Sequence, residues 1–422
     1  MEIGPSSVGT SGAPSLLATD PPVRTRAARL AVAFEVGLGI TAVLFFPLLV
    51  LAPRGIAPLA SIAGLLGVGL LVATNRRSLL NPVLSVPAVL LAAIVVWGIV
   101  SAAWSPDPPR SLDQGLRLTG LLITVVAMAA AFFVSATRRL MLLLFAGFVV
   151  AIAMAVVDLA TGGALSRPFS DRVYQPAWLN QASVAFAILL LPTAAALFMS
   201  GYRLTSLLFA AVCAVTILIL AGTAAKAALA AGLPWALACY WRRARVVRIA
   251  AALSVLVVVT APLTFARIER VPALANMVDR VKYSGGHRVL IWSFVGDRIA
   301  EHPLRGWGLD ASRAIPGGRD LIRPGETWLP LHPHNAPLQI WLELGVPGVV
   351  LFGLLGGWLW LAVGNTQWPR LYAAAACGGL ATAFVASAAT YGIWQEWWLG
   401  TLSFSLFMTL VMARVAAAAE RR

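Results

Sequence analysis

The chain has 422 residues, 59% of them hydrophobic and only 12% charged, with a mean hydropathy of +0.84. A water-soluble domain carries roughly a quarter charged residues, so a large soluble enzyme, a nucleic-acid binder and a disulfide scaffold are all excluded. The net charge of +15, from 32 basic against 17 acidic residues, is read first as a topology signal of a membrane protein.

Residues 1–26, rich in Ser, Gly, Pro and Thr, read as a disordered tail, because no basic segment precedes an early apolar core as it would in a signal peptide. Twelve stretches then approach the roughly 20 apolar residues that cross a bilayer. They run Leu30 to Leu51, Ile56 to Ala73, Pro82 to Trp104, Leu118 to Ala136, Leu140 to Leu159, Ala182 to Ser200, Leu204 to Ala221, Ala224 to Trp241, Ile249 to Ala266, Pro337 to Val363, Leu371 to Tyr391 and Trp398 to Val415. Even parity puts both termini on one side. That side gathers sixteen basic residues: Arg24, Arg26, Arg29, Arg76, Arg77, Arg138, Arg139, Arg203, Arg242, Arg243, Arg245, Arg248, Arg370, Arg414, Arg421 and Arg422. Outside one long loop, the other side has six, namely Arg54, Arg110, Arg117, Arg167, Arg172 and Lys226. The positive-inside rule makes the termini cytoplasmic and the long loop, 267–336, extracytoplasmic. Cys213, Cys239 and Cys377 lie in apolar stretches as small hydrophobes, so neither disulfides nor metal ligation by sulfur is expected.

The long loop holds all four histidines (His287, His302, His332 and His334), nine arginines and Lys282 against seven acids. Loops of this length without a role are uncommon. In the string HPHNAPLQIWLELGVPG, Asn335 suits an N-cap and Pro337 a first helical turn, which places His334 at a helix N-terminus that favours anions. Histidine is the side chain whose ordinary pKa lets it take a proton from a hydroxyl near neutral pH. His332, two residues away, is a second candidate, and a metal site lacks further ligands at a recognisable spacing. Asn335, Gln339 and Glu343 share one face of the helix, where the last two read equally as an interhelical hydrogen-bond seam and as chemistry.

Elsewhere in the loop, SGGHRVLIW offers a Gly-Gly turn followed by an interfacial helix on which Arg288 can hold a lipid phosphate. Lys226, near the start of an apolar span, is a functional cation or a snorkelling one. Asp171 and Arg172, with Asn180 and Gln181, complete an outer-face polar set whose simpler reading is an exposed ion pair.

These residues resemble the O-antigen ligase and polymerase superfamily of polytopic bacterial envelope proteins. The family signature is His, then Asn, Ser or Gln, then nine residues, then Gly-x-x-Gly (or Thr or Tyr). Here His334 and Asn335 are followed by Ala336 to Leu344, Gly345 and Gly348, which match it throughout. A second family pattern is similar to Arg288, Trp292, Pro303, Gly306 and Gly308. The family's mid-chain arginine corresponds to Lys226, which keeps the charge without the bidentate fork.

The resemblance implies an all-α polytopic membrane protein of about 12 transmembrane helices with GT-C-type glycosyltransferase architecture. Helices 1–9 would occupy 27–266, a large periplasmic loop carrying the active site 267–336, helices 10–12 residues 337–416, and a cytoplasmic tail 417–422. It implies a metal-independent, inverting enzyme of the bacterial inner membrane that needs no cofactor. The donor would be undecaprenyl-pyrophosphate-linked O-antigen and the acceptor lipid A-core oligosaccharide, with membrane lipids as further partners and no nucleic acid. His334 would be the base. Arg288, with Lys226, Arg172, His332 and Asn335, would hold pyrophosphate or acceptor phosphate. Polymerisation of repeat units stays open as an alternative. Transfer to protein serines fits less well, since such relatives carry an added C-terminal region. A lipid-linked glycan transporter is the reading from another class, disfavoured because the two halves are unalike.

Overall fold

Inside hydrocarbon a backbone must satisfy its own hydrogen bonds, so an apolar chain of this kind folds into helices. The computed structural model describes residues 26–74, 83–135, 138–169, 173–273, 283–365 and 367–421, with backbone alone at 129–135, 283–284 and 365. Its helices are α1 (Arg26–Leu51), α2 (Ile56–Thr74), α3 (Val86–Val100), α4 (Pro108–Ser135), α5 (Arg138–Ala160), α6 (Asn180–Met199), α7 (Arg203–Ile219), α8 (Thr223–Thr264), α9 (Tyr283–Glu301), α10 (Ala336–Asn365), α11 (Arg370–Ala389) and α12 (Glu396–Glu420). A two-stranded antiparallel hairpin, β1 (Leu321–Arg323) and β2 (Glu326–Thr327), sits between α9 and α10.

The molecule is an all-α polytopic membrane protein. Among the described residues, nine helical stretches are long and apolar enough to cross a bilayer. Each of the twelve apolar stretches read from the sequence falls on a helix, but two of them share α8, a 42-residue helix interrupted at Arg242 (φ −136°, ψ 44°). Residues 1–25 and Arg172 lie outside the described residues.

Lipid tails are as apolar as leucine, so membrane helices associate through close packing and small residues. At one crossing, a Cβ added to Gly232 of α8 would lie 2.7 Å from the carbonyl oxygen of Gly378 in α11. Aromatic rings join the other helices. Phe45 of α1 stacks on Phe404 of α12 at 4.2 Å, and Phe46 stacks on Phe148 of α5 at 3.8 Å.

The loop and α10 are built around each other. Gly345 adopts φ +58°, ψ −156° and breaks α10, and Pro347 brings no amide hydrogen to mend the break. The carbonyls exposed there find donors elsewhere. Trp307 N–H donates to Leu342 at 2.8 Å, Gly308 N–H to Glu343 at 2.8 Å and the Trp97 indole to Leu344 at 2.9 Å. A Cβ on Gly345 would lie 2.6 Å from the Gly306 nitrogen, so no side chain fits between the Gly-x-Gly segment and the broken helix.

Candidate functional site

The site forms where the segment before α10 meets the C-terminal end of α11. A helix end leaves carbonyls without partners, and two of them anchor the key side chains. Arg288 donates through Nη1 to the Ala389 carbonyl, and His334 Nδ1 lies 2.6 Å from the Thr390 carbonyl. A carbonyl only accepts, so Nδ1 carries the proton and Nε2 of the neutral imidazole is left with its lone pair. Among the described residues Nε2 has no hydrogen-bond partner, which leaves it open for a substrate proton. The arrangement selects the tautomer a general base requires.

Several contacts hold His334 in place. Its backbone is left-handed, at φ 55°, a conformation that costs a non-glycine residue energy and persists only where its surroundings enforce it. Its N–H donates to Nδ1 of buried His332 at 3.1 Å, and the two rings lie 4.2 Å apart. Since His332 Nδ1 accepts, its proton resides on Nε2, which faces the Gln395 amide at 3.3 Å. The amide oxygen and nitrogen are interchangeable in such a contact, so Gln395 accepts. From α9, Arg288 and Trp292 project one turn apart, and the Trp292 indole donates to the Pro333 carbonyl at 2.8 Å. His287 meets the Thr327 carbonyl at 2.9 Å, fastening α9 to β2.

Asn335 caps α10 as its sequence position suggested, with Oδ1 accepting from Leu338 N–H at 2.9 Å. The residue is fully buried and its Nδ2 has no protein partner. Gln339 and Glu343 form the structural seam. Gln339 accepts from Ile393 N–H and donates to Glu343, whose carboxylate also receives Asp310 N–H, the Ser312 hydroxyl and the Trp394 indole. One expectation is corrected: Gly285 and Gly286 do not form a turn ahead of a helix but lie inside the first turn of α9.

Lys226 stands apart from this cluster. It occupies the first turn of α8, after Gly222, whose Cβ position is 3.3 Å from Asn180 Oδ1 and 3.2 Å from Ser183 Oγ. Among the described residues neither of those oxygens has a partner, nor does Gln181 Oε1. Cys239 lies against Ala373 and Trp235 against Cys377, so α8 and α11 run antiparallel. At about 1.5 Å per residue from the Gly232–Gly378 crossing, Lys226 lies about 9 Å and Ala389 about 16 Å toward the same end of the bundle. Sequence reading missed Gln395, the Ala389 and Thr390 carbonyls, and Arg313, whose charge acts on His332. A glutamine amid the aromatic run YGIWQEWW was a visible signal for the first. The carbonyls leave no trace in side-chain chemistry.

Burial, followed by the charges of His334, Arg313 and Arg288, pushes His332 down to about 2. Burial also holds His334 down at about 4, opposed by the Thr390 hydrogen bond and reinforced by Arg288 and His287. Burial likewise lowers Arg288 from the usual guanidinium range. Both histidines therefore titrate below the value of about 6.5 they have in an unfolded chain. Below that pH the unfolded state takes up protons that the folded state refuses. The stability they contribute is complete above pH 6.5 and is lost as pH falls toward 4, at up to about 1.4 kcal/mol per unit per histidine. The melting temperature in detergent is expected to drop between pH 7 and 5, and less steeply in the doubly substituted His332→Asn, His334→Asn protein. Identical slopes for the two proteins would refute this account.

The fold and this end of it define a multi-pass membrane protein with a neutral histidine and a half-buried arginine docked side by side. Residues 187–353, from within α6 to the middle of α10, match the family model described as O-antigen ligase. The matched segment contains Lys226, Arg288, His332, His334, Asn335 and Gly345. Proteins of Rickettsia conorii and Rickettsia felis, each named "putative polysaccharide ligase", are 37% identical to this chain over 122 residues. The match covers 28% of this chain and 29% and 30% of theirs. A protein of the same name from Rickettsia bellii is 34% identical over 136 residues, 31% of this chain and 33% of its own. The chain thus aligns with about a third or less of the length of these relatives.

Proposed function

We propose that this protein is an O-antigen ligase of the bacterial inner membrane, with about twelve spans of GT-C type. It moves O-antigen polysaccharide from undecaprenyl pyrophosphate to a sugar hydroxyl of lipid A-core oligosaccharide at the periplasmic face. The observation that carries the proposal is the tautomer selection at His334, beside an arginine fixed on the adjacent carbonyl, within the segment that matches the O-antigen ligase family. The acceptor hydroxyl gives its proton to His334 Nε2 as its oxygen attacks the anomeric carbon. The bond from that carbon to the pyrophosphate oxygen breaks on the opposite face, the leaving oxygen takes the electron pair, and the configuration inverts. Arg288, Lys226 and Arg172 balance the pyrophosphate charge, so no general acid is needed at neutral pH. His332 holds the His334 backbone, and the Asn335 Nδ2, buried without a partner among the described residues, donates to substrate oxygen once the substrate seats against it. A bound pyrophosphate would offset the Arg288 charge that depresses His334 and so strengthen the base.

An orientation with cytoplasmic termini is supported by where the cations gather. Arg138 reaches Ser200 and Tyr202, while Arg203, Arg370 and Glu420 line one recess. This end is about 30 Å from the histidines, the length of the 20-residue α11.

The test is transfer by purified protein in nanodiscs with EDTA, undecaprenyl-pyrophosphate-linked glycan and lipid A-core, read by gel mobility. Wild type is expected to shift the lipid A-core band, and Arg288→Lys to raise KM for the donor more than it lowers kcat, because lysine lacks the fork. Lengthening of the lipid-linked glycan with lipid A-core untouched would make the protein a polymerase. No product of either kind, with the glycan lipid instead crossing the bilayer, would make it a transporter.

A further inference from the structure

The end of the bundle remote from the histidines holds a second charged recess. A cavity of about 320 Å³ opens between the α6–α7 turn, the bend of α8, the start of α11 and the last turn of α12. Arg203, Arg370, Tyr240, Phe198 and Glu420 are among its walls. Arg370 is positioned rather than satisfied. Its Nε donates to the Tyr240 carbonyl, and its guanidinium lies 4.5 Å from the Tyr240 ring centre and 5.4 Å from that of Trp241. Among the described residues its two terminal nitrogens donate to nothing. Arg203 lies 5.6 Å over the Phe198 ring and makes no hydrogen bond or ion pair among the described residues. Two guanidinium groups with open donors thus share one recess with a single carboxylate, an excess of one positive charge.

The surroundings say what kind of anion fits. Leu204, Leu207 and Leu208 of α7 continue from Arg203 with 70%, 62% and 58% of their surfaces exposed, and Trp241 beside Arg370 is 65% exposed. In a bilayer these side chains face acyl chains, so an anion seated in the recess lies directly beside lipid tails. We propose that the recess binds the phosphodiester of a glycerophospholipid, with the phosphate between Arg203 and Arg370 and the acyl chains along α7 and Trp241. Arginine forks suit phosphate oxygens, and an indole at the rim matches the depth of the bilayer interface. The site is independent of the histidine cluster and does not rest on the proposed transfer reaction.

Native mass spectrometry of delipidated full-length protein, titrated with phosphatidylglycerol and phosphatidylethanolamine, tests this. Wild type is expected to retain one phospholipid per chain, and Arg203→Gln to weaken that retention about fivefold, the usual worth of one arginine at an anionic lipid surface. Arg203→Lys is expected to fall between them. Arg370→Gln should weaken it further, but Arg370 also caps Tyr240, so Arg203→Gln, which removes only a stacking contact, decides the matter. Arg248→Gln, an exposed cation in the second half of α8, should change nothing. Equal retention by wild type and Arg203→Gln would overturn the proposal. So would diacylglycerol binding as tightly as phospholipid, or inorganic phosphate displacing the lipid at matched concentration, since the site would then be respectively an apolar groove or a simple anion site.

Discussion

Replacing His334 by alanine is expected to slow glycan transfer by about 10²- to 10⁴-fold, the range for a lost general base, while the protein keeps its fold and its hold on the donor. The reason lies in which atoms the imidazole uses. Nδ1 is occupied by the Thr390 carbonyl, so a substituted protein loses the open Nε2 and one hydrogen bond at the end of α11. The arginine and lysine proposed to hold the pyrophosphate are unchanged by the substitution. A pH profile sharpens the test. The base works unprotonated, so kcat/KM falls as pH drops through the pKa of the free enzyme, and that limb is expected near 4 rather than 6.5. Steady-state transfer by wild type and His334→Ala between pH 4.5 and 8 measures both effects. Activity in the alanine protein within tenfold of wild type, or loss of lipid-pyrophosphate binding along with activity, would remove His334 from the role of base.

Glu343→Leu is expected to fail at an earlier stage, yielding little folded protein. The carboxylate is fully buried and accepts from Asp310 N–H, the Ser312 hydroxyl, the Gln339 amide and the Trp394 indole. Leucine of similar size would leave four buried donors unpaired at about 1–3 kcal/mol each, comparable with the whole stability of a typical fold. Those donors come from the loop, α10 and the α11–α12 connection, so their loss separates the parts that carry His332 and Gln395. Glu343→Gln keeps the shape and one acceptor oxygen and should fold at reduced melting temperature. Detergent-solubilised yield and monodispersity for the two variants decide it. Were Glu343→Leu to fold at wild-type yield and lack only activity, Glu343 would belong to the chemistry.

The sequence made the helices legible because a 20-residue apolar run has few other fates, and the Asn335 cap because the backbone amide it serves lies three residues on. Arg288 and Trp292 were visible as candidates, but the contacts that place them were not. Both work through backbone carbonyls, of Ala389 and Pro333, distant in sequence. Glu343 was open to two readings until its four donors were known. The joining of two spans within α8 was hidden for another reason. The arginines from Arg242 to Arg248 look like a loop by charge, yet arginine is a good helix former and only Arg242 leaves helical geometry.

The break at Gly345 turns the length of the family signature into a ruler. Gly345 lies ten residue steps after Asn335, about 15 Å of helix rise, which is how far below the histidines the Trp307–Gly308 backbone can reach in. Each residue also turns the helix by about 100°. Adding one residue between Ala336 and Leu344 would therefore both lengthen the rod and swing one end against the other, so that the cap, the Gln339–Glu343 seam and the break could no longer engage together. The nine intervening positions can change in kind far more freely than in number.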